Sequence, residues 1–201
     1  AAAPLHAHEC APLADPASEL SALKAESDRS VIDRFGALML ATRCLWRRHR
    51  GPQANHGVRQ TVAEGAARND DHFFDMLADG PTTDADEELA TMAAATPGYL
   101  PPGTPTARLV RMLGQLRVTM FSIESPHASN VDGSAIIAAG CYPRAAILNH
   151  SCAPNCVLTY VDGARLHVRA AQQIACGEEL CHSYTELCLP TRIRQRGLQT
   201  R

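Results

Sequence analysis

Two short stretches carry residue types that could do chemistry together. Asn149, His150, Ser151, Cys152, Ala153, Pro154 and Asn155 place five polar or nucleophilic side chains in seven positions. Pro154 removes a backbone donor, so the stretch reads as a loop that forms neither a full helix nor a ladder strand and leaves its polar groups open to a ligand. About thirty residues later, Gly177, Glu178, Glu179, Leu180, Cys181, His182, Ser183 and Tyr184 read as a glycine-led turn feeding a short strand that ends on a tyrosine. An asparagine amide offers donors and an acceptor without charge, and a phenol with an ordinary pKa of about 10 stays neutral while donating and accepting. Neutral polar groups suit a reaction in which positive charge moves, because a cation nearby would repel it. Glu178 and Glu179 resemble an acid–base pair only superficially, since adjacent strand residues point to opposite faces. A strand-end tyrosine taken alone is more commonly a core residue with a satisfied hydroxyl.

The elements that must position these stretches follow from pattern. Residues 157–161 and 164–170 are β-prone runs separated by Asp162-Gly163, which predicts a tight hairpin with a primed turn between the two motifs. Residues 30–50 read as a helix with Val31, Phe35, Leu38, Leu45 and Trp46 on one face, capped by Asp28 or Ser30 and stopped by Gly51-Pro52. Its basic end, Arg47 to Arg50, reads as a solvated terminus favoured by the helix dipole. A second helix is expected over 58–77 and a third after Thr82 or Thr83, with Asp84, Asp86, Glu87 and Glu88 in its first turn. Residues 99–103 read as a linker, and Thr104-Pro105 as the opening of a further helix through Leu109, Met112, Leu113 and Leu116. Residues 118–123 alternate in the strand manner, 125–134 read as a loop, and 190–201 as a basic helix. Helices first and short strands later predict an α+β fold.

Bulk numbers narrow the classes. A chain of 201 residues with a formal charge of -2 offers no general attraction for nucleic acid or an anionic membrane, so neither is expected as a partner. No apolar run approaches the length needed to span a bilayer. Eight cysteines without a CxxC pair suggest reduced thiols or metal ligands in an intracellular protein, cytoplasmic or nuclear, and a monomer is expected. The chain opens on Ala1 rather than methionine, and a fragment or processed product is expected.

The pair NHSCAPN and GEELCHSY, with Cys141-Tyr142-Pro143 leading into Asn149, resembles the C-terminal signature of the SET-domain protein-lysine methyltransferases, and within them the SET-and-MYND subgroup. The resemblance is good from about Arg108 to Arg201 and loose before it. It implies a SET-like fold divided into residues 1–12 as the remnant of a MYND-type zinc finger, 13–103 as a helical region, and 104–201 as the C-terminal part of the SET domain. It further implies S-adenosylmethionine as methyl donor, bound by Asn149, the backbone of His150 and Tyr184, with Tyr184 also the catalytic residue, and a lysine-bearing protein, histone or non-histone, as substrate. Thr119 stands where the family pattern places a donor-contacting asparagine, two residues before the matching Phe121.

Zinc is implied twice. His6 and Cys10 match the last ligand pair of a MYND finger, or are simply an exposed polar start, since two ligands do not close a tetrahedral site. Cys152 matches a zinc ligand that the family completes with three cysteines further downstream. His150, Cys152 and Cys156 as a self-contained site would be cramped, and Cys181 and Cys188 read as small buried side chains. The family's Gly-rich N-terminal strand is not found in the chain. Two functions stay open: a protein-lysine methyltransferase, or a non-catalytic SET-like module that binds protein partners.

Overall fold

A computed structural model of the chain describes residues 13–15, 17–24, 29–50, 71–124, 136–161 and 165–199. Its elements are α1 (Glu19–Lys24), α2 (Arg29–Arg50), α3 (Asp71–Asp75), α4 (Asp84–Ala95), α5 (Thr106–Thr119), β1 (Met120–Glu124), β2 (Ile136–Cys141), α6 (Pro143–Ala146), β3 (Asn149–His150), β4 (Cys156–Val161), β5 (Arg165–Ala170), β6 (Cys181–His182) and α7 (Thr191–Gln199). Helices followed by short strands give the α+β architecture expected. The chain divides into two units, Ala1–Arg117 and Val118–Arg201.

In the first unit, α2 buries Phe35, Leu38, Ala41, Thr42, Cys44 and Leu45, a stripe at helical spacing. The small members Ala41, Thr42 and Cys44 complete the face that the larger apolar residues announced. Thr42 stays satisfied inside this core by donating to the carbonyls of Leu38 and Met39 at 3.1 and 2.9 Å. Residues 99–103 are not a linker: Tyr99 is fully buried and its carbonyl accepts from Trp46 Nε1 at 2.9 Å. Gly98 and Gly103, both at positive φ, turn the backbone on either side of that anchor. Arg48 is likewise not a solvated end. It pairs with Asp75 at 2.9 Å and lies 5.7 Å from the Phe74 ring centroid, because its long stem covers apolar surface while its head finds an anion.

Of the helix expected over 58–77, the described part is α3, and residues 58–70 lie outside the described residues. The third helix is as predicted. Thr83 Oγ1 accepts from the Asp86 amide and Asp86 Oδ2 accepts from the Thr83 amide at 2.8 Å, a reciprocal capping box. Asp86 also takes two bonds from Arg117, at 2.9 and 3.0 Å. Burial pushes the Asp86 carboxyl up, but the Arg117 and Thr83 bonds together outweigh it and hold the pKa below the usual carboxylate value. The helix α5 buries Leu109, Met112, Leu113 and Leu116 and passes so close to the preceding loop that a Cβ on Gly114 would meet the Gly80 oxygen at 2.7 Å. It runs on through Thr119, so the strand expected over 118–123 begins only at Met120. Among the described residues no helix is long and apolar enough to cross a membrane.

The second unit contains three two-stranded sheets. The antiparallel pair β1–β2 sets Phe121 opposite Gly140. The predicted hairpin is present as β4–β5, with Cys156 opposite Ala170 and Val161 opposite Arg165. That register leaves three residues between the last pair, not the two of a primed Asp-Gly turn, and those three lie outside the described residues. The third pair, β3–β6, is parallel and sets Asn149 beside Cys181 and His150 beside His182. The motif loop therefore does enter a ladder: its first two residues pair before Pro154 can interfere. Parallel strands need a crossover of about a dozen residues or more, and the β4–β5 hairpin is that crossover.

Candidate functional site

The pairing of β3 with β6 brings the two motifs together, and a set of hydrogen bonds locks them. The Tyr184 amide donates to His150 Nδ1 at 2.9 Å, and the Tyr184 hydroxyl donates to the Leu148 carbonyl at 2.6 Å. The Ser151 amide donates to the His182 carbonyl at 3.0 Å. With Nδ1 accepting, the neutral His150 ring must carry its proton on Nε2, which lies 3.2 Å from the Cys152 sulfur. His182 is buried, and its Nδ1 faces the Ser183 carbonyl at 3.0 Å, so this ring is a donor there. The strand ends at His182, and Tyr184 sits in the turn beyond it rather than at the strand end.

Asn155 is the buried centre of the assembly. Its Nδ2 donates to Glu178 Oε1 at 3.0 Å and to the Glu179 carbonyl at 2.8 Å, and its Oδ1 accepts from the Cys181 amide at 2.9 Å. Both donors and an acceptor of one amide are thus spent on the backbone and side chains of 178–181. Glu178 and Glu179 precede the strand and serve different partners: Glu178 Oε2 accepts from the Ala175 amide at 2.9 Å, while Glu179 Oε1 accepts from Asn149 Nδ2 at 2.6 Å. The Ala175 and Asn155 bonds hold the Glu178 carboxyl below its usual range. Asn155 and both glutamates were legible as polar motif residues, but only their spatial pairing reveals what each binds.

An aromatic row continues from the motifs. Ring centroids are 5.5 Å apart for His150 and Tyr184, 4.9 Å for His182 and Tyr184, and 6.0 Å for His182 and Phe121. Phe121 meets Tyr142 edge-on at 5.7 Å, and Tyr142 lies 6.1 Å from Tyr160. Gly140 permits this, because a Cβ there would stand 2.7 Å from the Tyr142 ring. Burial pushes the Tyr142 phenol pKa up, so it stays protonated. Neither Lys nor Arg occurs at 148–156 or 175–189, so neither motif stretch carries a permanently cationic side chain.

A SET domain family model matches residues 24–185, most of the chain, across both motifs. The chain belongs to the SET domain family. It is 41% identical over 91 residues to N-lysine methyltransferase SMYD2 of Homo sapiens, a match covering 45% of this chain and 19% of that protein. The Gallus gallus protein of the same name is 40% identical over 93 residues, 46% of this chain and 20% of the relative. N-lysine methyltransferase SMYD2-A of Danio rerio is 39% identical over 93 residues, with the same shares. These matches span about a fifth of the length of the relatives.

Within this SET domain the residues singled out in the sequence separate into groups. Asn149, His150 and Tyr184 converge, with Asn149 exposed and the other two half-buried. Thr119 is buried at the end of α5, one residue before β1 and two before Phe121. Cys152 is exposed beside His150, whereas Cys156 is buried. Among the described residues no three candidate ligands gather for a metal, so a closed zinc site does not fit on them alone; His6 and Cys10 lie outside the described residues. Cys188 is exposed because the 186–190 turn lies on the surface, and Cys181 is half-buried in β6. Burial and then the charge of Glu179 push the Cys181 thiol up.

Proposed function

We propose that this chain is the part of an S-adenosylmethionine-dependent protein-lysine methyltransferase that carries its donor-contacting and catalytic residues. The observation carrying the proposal is the convergence of Asn149, His150 and Tyr184 through the β3–β6 pair and the two Tyr184 hydrogen bonds. The SET domain match spans these residues, and relatives named as N-lysine methyltransferases are 40 to 41% identical to nearly half of the chain.

The donor set suits a sulfonium compound. Asn149 and the polar backbone around His150 are neutral, Glu179 is a carboxylate, and neither Lys nor Arg stands in either motif stretch. These residues would hold S-adenosylmethionine, which when bound supplies a methyl group on a positively charged sulfur. Tyr184 then acts on the substrate amine. Its hydroxyl proton is committed to the Leu148 carbonyl, so the phenol oxygen presents lone pairs. A neutral lysine amine that donates an N–H to that oxygen is turned so that its own lone pair faces away along a fixed line, which is the alignment an in-line displacement requires. The half-buried rings of Phe121 and Tyr142 continue from Tyr184 across the buried His182 ring, a π-faced wall suited to a lysine side chain.

The substrate is a lysine-bearing protein, histone or non-histone. The seven described cysteines are all free thiols, which fits a reducing compartment, cytoplasm or nucleus. We assign Cys152 as one zinc ligand, its partners being the three downstream cysteines that the family resemblance implies. The test is methyl transfer from labelled S-adenosylmethionine by the full-length protein, together with calorimetric titration of the donor. Transfer that is lost in Tyr184→Phe, with donor binding kept, supports the proposal. Absence of donor binding by the full-length protein overturns it in favour of a non-catalytic SET module that binds protein partners.

A further inference from the structure

Asn149 is exposed, yet its amide is not free to turn. Its Nδ2 lies 2.6 Å from Glu179 Oε1, a charge-assisted bond at the short end of the usual range. A carboxylate only accepts, so the bond assigns the amide: the nitrogen faces Glu179 and Oδ1 faces elsewhere. Glu179 is itself delivered by its backbone, because its carbonyl is gripped by buried Asn155 and the Cys181 amide two residues on is gripped by the same side chain. The glutamate side chain makes no other hydrogen bond among the described residues, so it is available to steer Asn149 without holding the fold together.

We propose that Glu179 is a positioning residue for the methyl-donor site: it fixes the Asn149 amide so that the carbonyl oxygen, an acceptor, is what Asn149 offers to a bound ligand. The inference rests on the donor-site reading above and deepens it. An unanchored asparagine amide samples both faces, and half of its orientations would present N–H groups to the N–H groups of a cationic ligand. Glu179 removes those orientations before the ligand arrives.

The test uses the full-length protein and two readouts. In ligand-free protein, selective labelling of Asn149 lets its side-chain amide be followed by NMR. Wild type should show a shifted, slowly exchanging Nδ2 pair that collapses to free-amide values in Glu179→Ala and is kept in Glu179→Gln, whose side-chain oxygen still accepts. An Asn149 signal indifferent to Glu179→Ala overturns the inference, whether or not the protein binds a methyl donor. In calorimetry with S-adenosylmethionine, Glu179→Ala should weaken binding by about tenfold, the scale of one charge-assisted hydrogen bond. In an Asn149→Ala background the same change should have no further effect. Equal weakening in both backgrounds would show that Glu179 acts without Asn149 and overturns the assignment. Wild-type protein that fails to bind the donor defeats the methyltransferase reading, and the NMR comparison still decides the positioning role.

Discussion

Replacing Asn155 by alanine should destabilise the second unit by about 3 kcal/mol, through three hydrogen bonds worth about 1 kcal/mol each net. The side chain is 6% exposed and contributes two donors and an acceptor, to Glu178 Oε1, the Glu179 carbonyl and the Cys181 amide. The exposed Glu178 carboxylate will recover its bond from water. The Cys181 amide and Glu179 carbonyl lie beside a buried position and lose their partner at closer to full cost. For a chain of this size, 3 kcal/mol corresponds to a Tm lower by roughly 6 to 12 °C. The assay is urea and thermal unfolding followed by circular dichroism, with Asn155→Asp measured beside Asn155→Ala. Aspartate keeps the acceptor for Cys181 but turns both donors into acceptors facing a carboxylate and a carbonyl. It should cost at least as much as alanine at pH 7 and recover in part on acidification, starting above the ordinary aspartate value because burial and the Glu178 charge raise its pKa, as a protonated carboxyl regains one donor. A loss below about 1 kcal/mol for Asn155→Ala, or an aspartate variant as stable as wild type at pH 7, would refute Asn155 as the buried clamp of the two motifs.

Further outcomes follow from the same contacts. On the proposed mechanism, Tyr184→Phe should lower kcat roughly a hundredfold or more while leaving donor affinity within about twofold, because it removes the oxygen that would align the amine and keeps the ring; kinetics on a lysine peptide check it. Thr83→Ala should cost about 1 kcal/mol by deleting one half of the capping box, read by thermal unfolding. The Glu178 pKa should rise toward the ordinary carboxylate value in Asn155→Ala, in an NMR titration of the side-chain carboxyl. Because the folded pKa is depressed, the contribution of Glu178 is present above the unfolded value of about 4.3 and is lost as pH falls through the folded value. Asp86 has the same sign, so stability should fall as pH drops through its folded pKa, and Asp86→Asn should remove that part of the acid sensitivity.

The sequence announced local structure well where the signal was chemical and short-ranged. The Thr83 cap, the two β-prone runs around 162–164 and the apolar spacing of α2 and α5 each depend on neighbours within a few residues, and each is present. It was misleading where tertiary packing overrides local grammar. Residues 99–103 carry every mark of a linker, yet Tyr99 puts its ring in the core and its carbonyl on Trp46, while Pro102 and Gly103 stay exposed. Arg48 belongs to a basic run by composition, but only the fold brings Asp75 and Phe74 to it. At the site, residue identity pointed to Asn149, His150 and Tyr184, and family resemblance supplied their roles. Neither revealed that Glu179 holds Asn149 or that Asn155 holds Glu178, Glu179 and Cys181, because these bonds join residues 23 to 30 positions apart.

That separation explains how tolerance to change should be distributed along the motif-bearing half. A parallel pair only two residues long has almost no stability of its own, since it forms few ladder bonds and closes a loop of about thirty residues at an entropic cost. The hairpin reduces that cost by folding its own residues into β4 and β5, and the Asn155 carbonyl meets the Ala171 amide at 2.8 Å where the two strands close. Asn155 therefore stands at a junction: its backbone finishes the hairpin while its side chain grips the second motif. Changes at the hairpin tip leave that junction untouched and should preserve the geometry of Asn149 and Tyr184. Changes at the base, where Asn155 and Cys156 begin β4, alter the crossover and the clamp at once. Tyr184 is held by β3 itself, its hydroxyl by the Leu148 carbonyl and its amide by His150 Nδ1, so its position depends on the register of β3 against β6, whose β6 side the Asn155 amide secures through Glu179 and Cys181.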